Sequence, residues 1–135
     1  MTRIMRAAVV AGTAVLCAAC PKRAAVWVAE GSTAERLVLR ISDVRGGRRL
    51  VRVSMVRVDR CGRGSTDTTS LWLVSPGPGA DAAGQVTYGV APSGWESSEG
   101  PRPLTPGCYE VNTSSTGRTT FDVAASGAVT ERTAR

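Results

Sequence analysis

Short alternating runs of Val, Leu, Ile and Thr, each cut off by Gly, Pro, Ser or Asp, are what most constrain the fold of this 135-residue chain. Alternation with a period of two puts every second side chain on one face of a strand. No segment keeps apolar residues on a 3.6-residue period beyond about two turns, so helices are not expected. The runs predict strands at 24–29, 35–42, 48–59, 70–75, 85–90, 107–113 and 118–124, with a short extension at 128–131. About seven strands separated by frequent turn signals predict an all-β fold, a single β-sandwich. Within 48–59 the apolar parity changes: Val51, Val53 and Met55 share one face, Val56 and Val58 the other. A bulge near Met55 and Val56, or a chain crossing between sheets, would produce that switch. Trp27 and Trp72 lie inside apolar runs and are expected in the core.

The beginning of the chain has a different character. Arg3 and Arg6 precede an apolar stretch at 7–16, which ends in Leu16-Cys17-Ala18-Ala19-Cys20. The stretch has the length of a signal-peptide core and is too short to span a bilayer. Ala18-Ala19-Cys20 resembles the lipobox of bacterial lipoproteins, in which a cysteine after small residues is acylated and becomes the mature N-terminus. The position three before that cysteine is usually leucine and is Cys17 here, with Leu16 one step further out. The resemblance implies a signal peptide at 1–19, a lipid-bearing Cys20, a tether at 20–23 and a domain at 24–135. It also implies export, with palmitate-type acylation anchoring the domain to a bacterial cell membrane or outer membrane. An ordinary secretory signal cut at the same bond is the alternative, because Cys17 and Ala19 also satisfy a small-x-small cleavage site.

Cysteine arithmetic bears on the same choice. If Cys17 leaves with the signal and Cys20 carries lipid, Cys61 and Cys108 remain, an even pair in a compartment where disulfides persist. Two free thiols are the plain alternative. Metal ligation is disfavoured, since the chain has no histidine and neither cysteine has another soft ligand nearby. A bridge closing this loop is worth about 4 kcal/mol in the loop-entropy model, a large share of a small domain's stability.

The formal charge is +6; Arg3 and Arg6 would leave with the signal, so +4 remains. Lys22 is the one lysine, and the arginine bias accompanies many alanines and glycines. The high pI by itself would suit nucleic acid, but export argues against that partner. A mature chain of roughly 115 residues fits one domain.

The segment Leu104-Thr105-Pro106-Gly107-Cys108-Tyr109-Glu110-Val111 resembles the approach to the penultimate strand of fibronectin type III and immunoglobulin-like domains. The Gly-to-Tyr spacing is one shorter than is usual in fibronectin domains. In those domains a tyrosine hydroxyl at this place bonds back to the chain upstream, the tyrosine corner. The resemblance implies an Ig/fibronectin III-like sandwich in which Tyr109 is structural. It further implies that the strands at 48–59 and 107–113 are antiparallel neighbours. Cys61 follows the first and Cys108 begins the second, so the pair would meet at a sheet end instead of bridging the two sheets.

Catalytic chemistry has little to draw on. Without histidine there is no Ser-His-Asp or Cys-His arrangement, and no side chain with an unperturbed pKa near neutrality. Glu96, Glu99 and Asp81 are scattered acids that a glycosidase-like pair would have to recruit. Gly77-Pro78-Gly79 lacks the Gly-Lys-Ser/Thr ending of a phosphate loop. The chain therefore reads as non-enzymatic, with no cofactor and no metal.

Two features invite binding. The segment 91–106 reads as a long loop carrying Trp95, which could stack on a sugar with help from Tyr88 or else fold back over the sandwich end. Between Arg36 and Arg63 there are nine arginines against Glu35, Asp43 and Asp59. Arg52 and Arg57 there could belong to a cationic sheet face for head groups, anionic polymer or an acidic partner, or to an ordinary solvated face. The leading expectation is an envelope-anchored lipoprotein whose sandwich is a structural or protein-interaction module. The alternative is a carbohydrate-binding or other ligand-binding module using the Trp95 loop, and an enzyme built on loop carboxylates is a remote third.

Overall fold

The computed structural model describes residues 23–62 and 70–132, so Cys17, Cys20, Lys22 and Arg63 lie outside the described residues. Every regular element among them is a strand: β1 (Ala25–Val28), β2 (Val38–Ser42), β3 (Val56–Arg60), β4 (Trp72–Pro76), β5 (Gln85–Thr87), β6 (Trp95–Glu99), β7 (Gly107–Thr113), β8 (Arg118–Val123) and β9 (Val129–Arg132). They form two antiparallel sheets, one of order β1-β2-β5 and one of order β6-β4-β3-β7-β8-β9. The chain is all-β, a sandwich, as its alternation requires.

The core follows from that alternation. Val26, Leu37, Leu39, Ile41 and Val86 come from the small sheet or its margins. They meet Val56, Val58, Trp72, Val74, Tyr109, Val111, Phe121 and Val123 of the large sheet in one buried cluster. Every second residue of β3, β7 and β8 therefore points inward. Trp72 is fully buried as expected, whereas Trp27 is only half-buried. It stands opposite Arg40 on the outward face of the small sheet, because its neighbours Val26 and Val28 take the other parity.

Two strand expectations change. Residues 48–55 do not form a ladder; they carry the chain from the end of β2 in one sheet to the start of β3 in the other. Val51 and Val53 are buried along this crossing, Met55 absorbs the odd residue, and Val56 resumes burial on the new sheet. The parity switch marks that passage. The second change lies inside 91–106, where Trp95–Glu99 adds an edge strand against β4 with a register irregularity between Leu73 and Val74. Only Trp95 of β6 is buried and the rest is Glu and Ser, the composition of a protected edge rather than of an alternating strand. After β6 the chain turns at Gly100, φ +67°, where a Cβ would sit 1.9 Å from the Leu71 carbonyl oxygen. Only glycine fits there.

The strand directions define two poles. At one, the start of β1 lies against the β7–β8 turn, with the Ala24 N–H donating to the Ser115 carbonyl. The β2–β3 crossing and the segment 77–84 are at the same end. The opposite pole holds the β1–β2 turn, bridged to Ala128 through Thr33, and the junction of β3 with β7. β7 alone spans about 23 Å at 3.3 Å per residue, which sets the separation of the poles.

The β3–β7 junction is heavily tied. Arg60 pairs with Tyr109, and one step on Cys61 is disulfide-bonded to Cys108 with Cα atoms 5.3 Å apart. The Cys61 N–H donates to the Cys108 carbonyl at 3.0 Å. The fully buried Tyr109 donates its hydroxyl to the carbonyl of Thr105, four residues upstream. Its ring stacks on Phe121 at 5.4 Å, and the Arg60 guanidinium covers it at 5.4 Å. The expected neighbours, bridge and tyrosine hydrogen bond are all present. Tyr109→Phe keeps the ring and removes the hydroxyl that bonds to Thr105, so it should lower stability by about 1 kcal/mol. Thermal melts with Cys61 and Cys108 oxidised in both proteins check this, and an unchanged midpoint would contradict it.

Candidate functional site

A groove of about 490 Å³ opens at the pole where β1 begins, lined by Arg52, Ser54, Asp81, Trp95, Ser114 and Ser115 among others. Local chain packing shapes it. Gly77 donates its N–H to the Gly94 carbonyl at 2.8 Å, drawing the β4–β5 segment onto the turn before β6. A Cβ at Gly77 would come within 2.8 Å of that same oxygen, so the approach depends on glycine. Trp95 forms part of the floor. It is 6% exposed, and its indole N–H donates to the Asp81 carbonyl at 3.1 Å. A buried indole with its N–H engaged offers no free face for stacking, so Trp95 folds back over the sandwich end.

Tyr88 does not join it. Its ring meets Trp72 edge-on at 5.2 Å and its hydroxyl donates to the Arg102 carbonyl. Burial outweighs that contact and pushes the phenol up to about 12. Arg52 is exposed at the groove rim. Ser54, Ser114 and Ser115 carried no motif or spacing that would have marked them, because the crossing at 48–55 brings them together only in three dimensions.

The arginines do not build one cationic sheet face. Arg40 lies outward on the small sheet opposite Trp27 and Gln85, while Arg36 is in the β1–β2 turn. Arg57 lies outward on the large sheet and donates to Asp59 at 2.8 Å. Nearby, Arg118 pairs with Glu110 at 2.6 Å, and Asn112 donates to the same carboxyl. Partial burial raises the Glu110 pKa, but Asn112 and Arg118 outweigh it and hold it below its ordinary value. The outward face of the large sheet is thus a mixed lattice of charges. Arg48, Arg49 and Arg52 sit elsewhere, along the β2–β3 crossing.

The carboxylates are likewise dispersed. Glu96 and Glu99 belong to β6, where Glu99 accepts the Ser70 N–H at 2.6 Å, and Asp81 alone borders the groove. Among the described residues, no group of three or more His, Cys, Asp or Glu side chains is placed to hold a metal ion. The most embedded carboxylate is Glu131 of β9. It accepts the Val28 N–H at 2.8 Å, the Thr119 hydroxyl at 2.6 Å and Arg45, joining the edge of the small sheet to the large one. Comparison with protein-family models, with curated proteins and with solved structures found no match for this chain.

Partial burial pushes the Glu131 carboxyl up, yet Arg45, Thr119 and Val28 together bring it below its ordinary 4.5. Its folded pKa is lower than its unfolded one. Its contribution is therefore complete above about pH 4.5 and disappears as the pH falls through the lower, folded value. Glu131→Gln should cost about 2 kcal/mol at neutral pH and make stability less steep in acid. Denaturant titrations between about pH 3 and 7 read both; parallel curves for the two proteins would contradict the assignment. Trp95→Ala, which empties the groove floor, should cost roughly 3–5 kcal/mol in the same assay.

Proposed function

We propose that this chain is an exported bacterial lipoprotein, held on a cell membrane or outer membrane through Cys20, whose disulfide-closed sandwich is a non-catalytic structural or protein-interaction module. The pairing of Cys61 with Cys108 carries this reading. It supports a division of labour in which those two thiols are spent within the fold. With Cys17 removed in the signal peptide, Cys20 remains, set after Ala18-Ala19. A disulfide also suits an oxidising, exported setting.

The same reading takes the sandwich as immunoglobulin/fibronectin III-like, supported by the β3–β7 pairing and the Tyr109 hydrogen bond to Thr105. Support for a binding or structural role, in place of catalysis, comes from the absence of histidine and from acids engaged in pairs or dispersed over the surface. A carbohydrate platform at Trp95 finds no support, since that indole is buried.

Cys20→Ala tests the anchor. Metabolic acyl-labelling should mark the unsubstituted protein and not the variant, and the variant should leave the membrane fraction. Acyl-labelling that persists in Cys20→Ala would refute the anchor.

A further inference from the structure

The pole where β1 begins brings exposed arginines together with exposed apolar side chains. Arg23, Arg48, Arg49 and Arg52 are exposed there, together with Arg45. Arg45 is tied to Glu131, and the nearby Asp43 is occupied with the Ser42 hydroxyl and the Val44 N–H. Asp81 and Glu96 are the other acids near this end. Arg48, Arg49 and Arg52 make no ion pair or side-chain hydrogen bond among the described residues. Glu30 and Glu35 stand with Arg36 in the β1–β2 turn at the opposite pole.

Apolar exposure concentrates at the same place. Of the large hydrophobic side chains left exposed among the described residues, Val44 at 58% and Leu50 at 60% both lie in the β2–β3 crossing, and Val90 lies elsewhere. The crossing is positioned firmly. The Gly47 N–H donates to the Val44 carbonyl at 2.9 Å, and the Ser42 hydroxyl donates to the Arg49 carbonyl at 2.9 Å. Val51 and Val53 then anchor it in the core. Val44 and Leu50 therefore project from a fixed support with arginines between them. Isolated aliphatic side chains interleaved with unpaired arginines, on a polar surface, suit an interface of anionic head groups over acyl chains.

The position of the chain's beginning chooses the occupant. Ala24 donates to Ser115 at this pole, so the described chain starts here, at Arg23. Four residues from Cys20 to Ala24 reach at most about 14 Å, less than the length of the sandwich. We infer that the β2–β3 crossing, through Val44, Arg48, Arg49 and Leu50, docks on an anionic lipid bilayer and sets the domain upright with its disulfide pole outward. The argument from reach rests on anchoring at Cys20; the arguments from charge and exposure do not.

Leu50→Trp places a reporter at the exposed tip. The protein is taken as the cell exports it, its acylation read by mass, and mixed with vesicles of brominated phosphatidylglycerol or of brominated phosphatidylcholine. The parent protein serves as the background for Trp27, Trp72 and Trp95. The introduced indole should be quenched in phosphatidylglycerol vesicles, less so in phosphatidylcholine, and less as salt rises. Arg48→Gln and Arg49→Gln should each reduce the docked fraction relative to the undocked about fivefold. Both positions are exposed, so melting midpoints should remain at the parent value. Equal quenching in the two lipids, or no response to the arginine substitutions, would overturn the docking. So would association with a soluble polyanion but not with vesicles. Quenching in phosphatidylglycerol by unacylated protein would uphold the docking while removing the anchor. Acylated protein whose indole stays unquenched would do the reverse.

Discussion

The antiparallel pairing of β3 with β7 is the constraint on which the rest of this sandwich depends. It runs from Val56 opposite Thr113 to Arg60 opposite Tyr109, along the middle of the six-stranded sheet. At the Tyr109 end three unlike interactions converge: a covalent bridge, a tyrosine hydroxyl bonded to Thr105, and an aromatic ring held between Phe121 and Arg60. The bridge stabilises chiefly by limiting the unfolded chain, whereas the buried ring and hydroxyl act in the folded state. A domain with a modest core gains from using both kinds.

Fixing one pole so strongly leaves the other free to serve as a surface. The β2–β3 crossing closes the far end with Val51 and Val53 buried and Met55 half-buried, while Val44, Arg48, Arg49, Leu50 and Arg52 go to solvent. Glu131 fastens the two sheets along one edge and takes only Arg45 from this end. Arg48, Arg49 and Arg52, which make no ion pair among the described residues, and the exposed Val44 and Leu50 accordingly fall together beside the start of β1. Position, more than composition, makes this surface distinctive: the total charge of +6 is modest, but the crossing gathers Arg48, Arg49 and Arg52 with Val44 and Leu50 in one short segment.

Where local pattern and tertiary demand agree, the sequence is easily read. The strand at Gly107–Thr113 lies at its expected bounds, because a Pro-Gly turn starts it and strict alternation continues it. Cys61 and Cys108 pair because strand order brings neighbouring ends together. β6 escapes detection since it contributes one core residue and otherwise presents edge polarity, which looks like loop. The stretch 48–55 has strand-like alternation but no partner, because it spans the gap between sheets. Trp95 and Tyr88 both draw notice as aromatics, yet only three-dimensional packing decides that one floors a groove and the other braces Trp72. The groove serines are silent in the sequence for the same reason.

Cys61 and Cys108 lie at one pole and Cys20 precedes the strand that starts at the other, so the account requires their sulfur chemistry to be separate. Peptide mapping of protein extracted from cells without reduction tests this directly. The expected result is one linked pair of peptides carrying Cys61 and Cys108, together with an N-terminal peptide that begins at an acylated Cys20. A disulfide from Cys20 to either of the other two cysteines, or free thiols at Cys61 and Cys108, would contradict it.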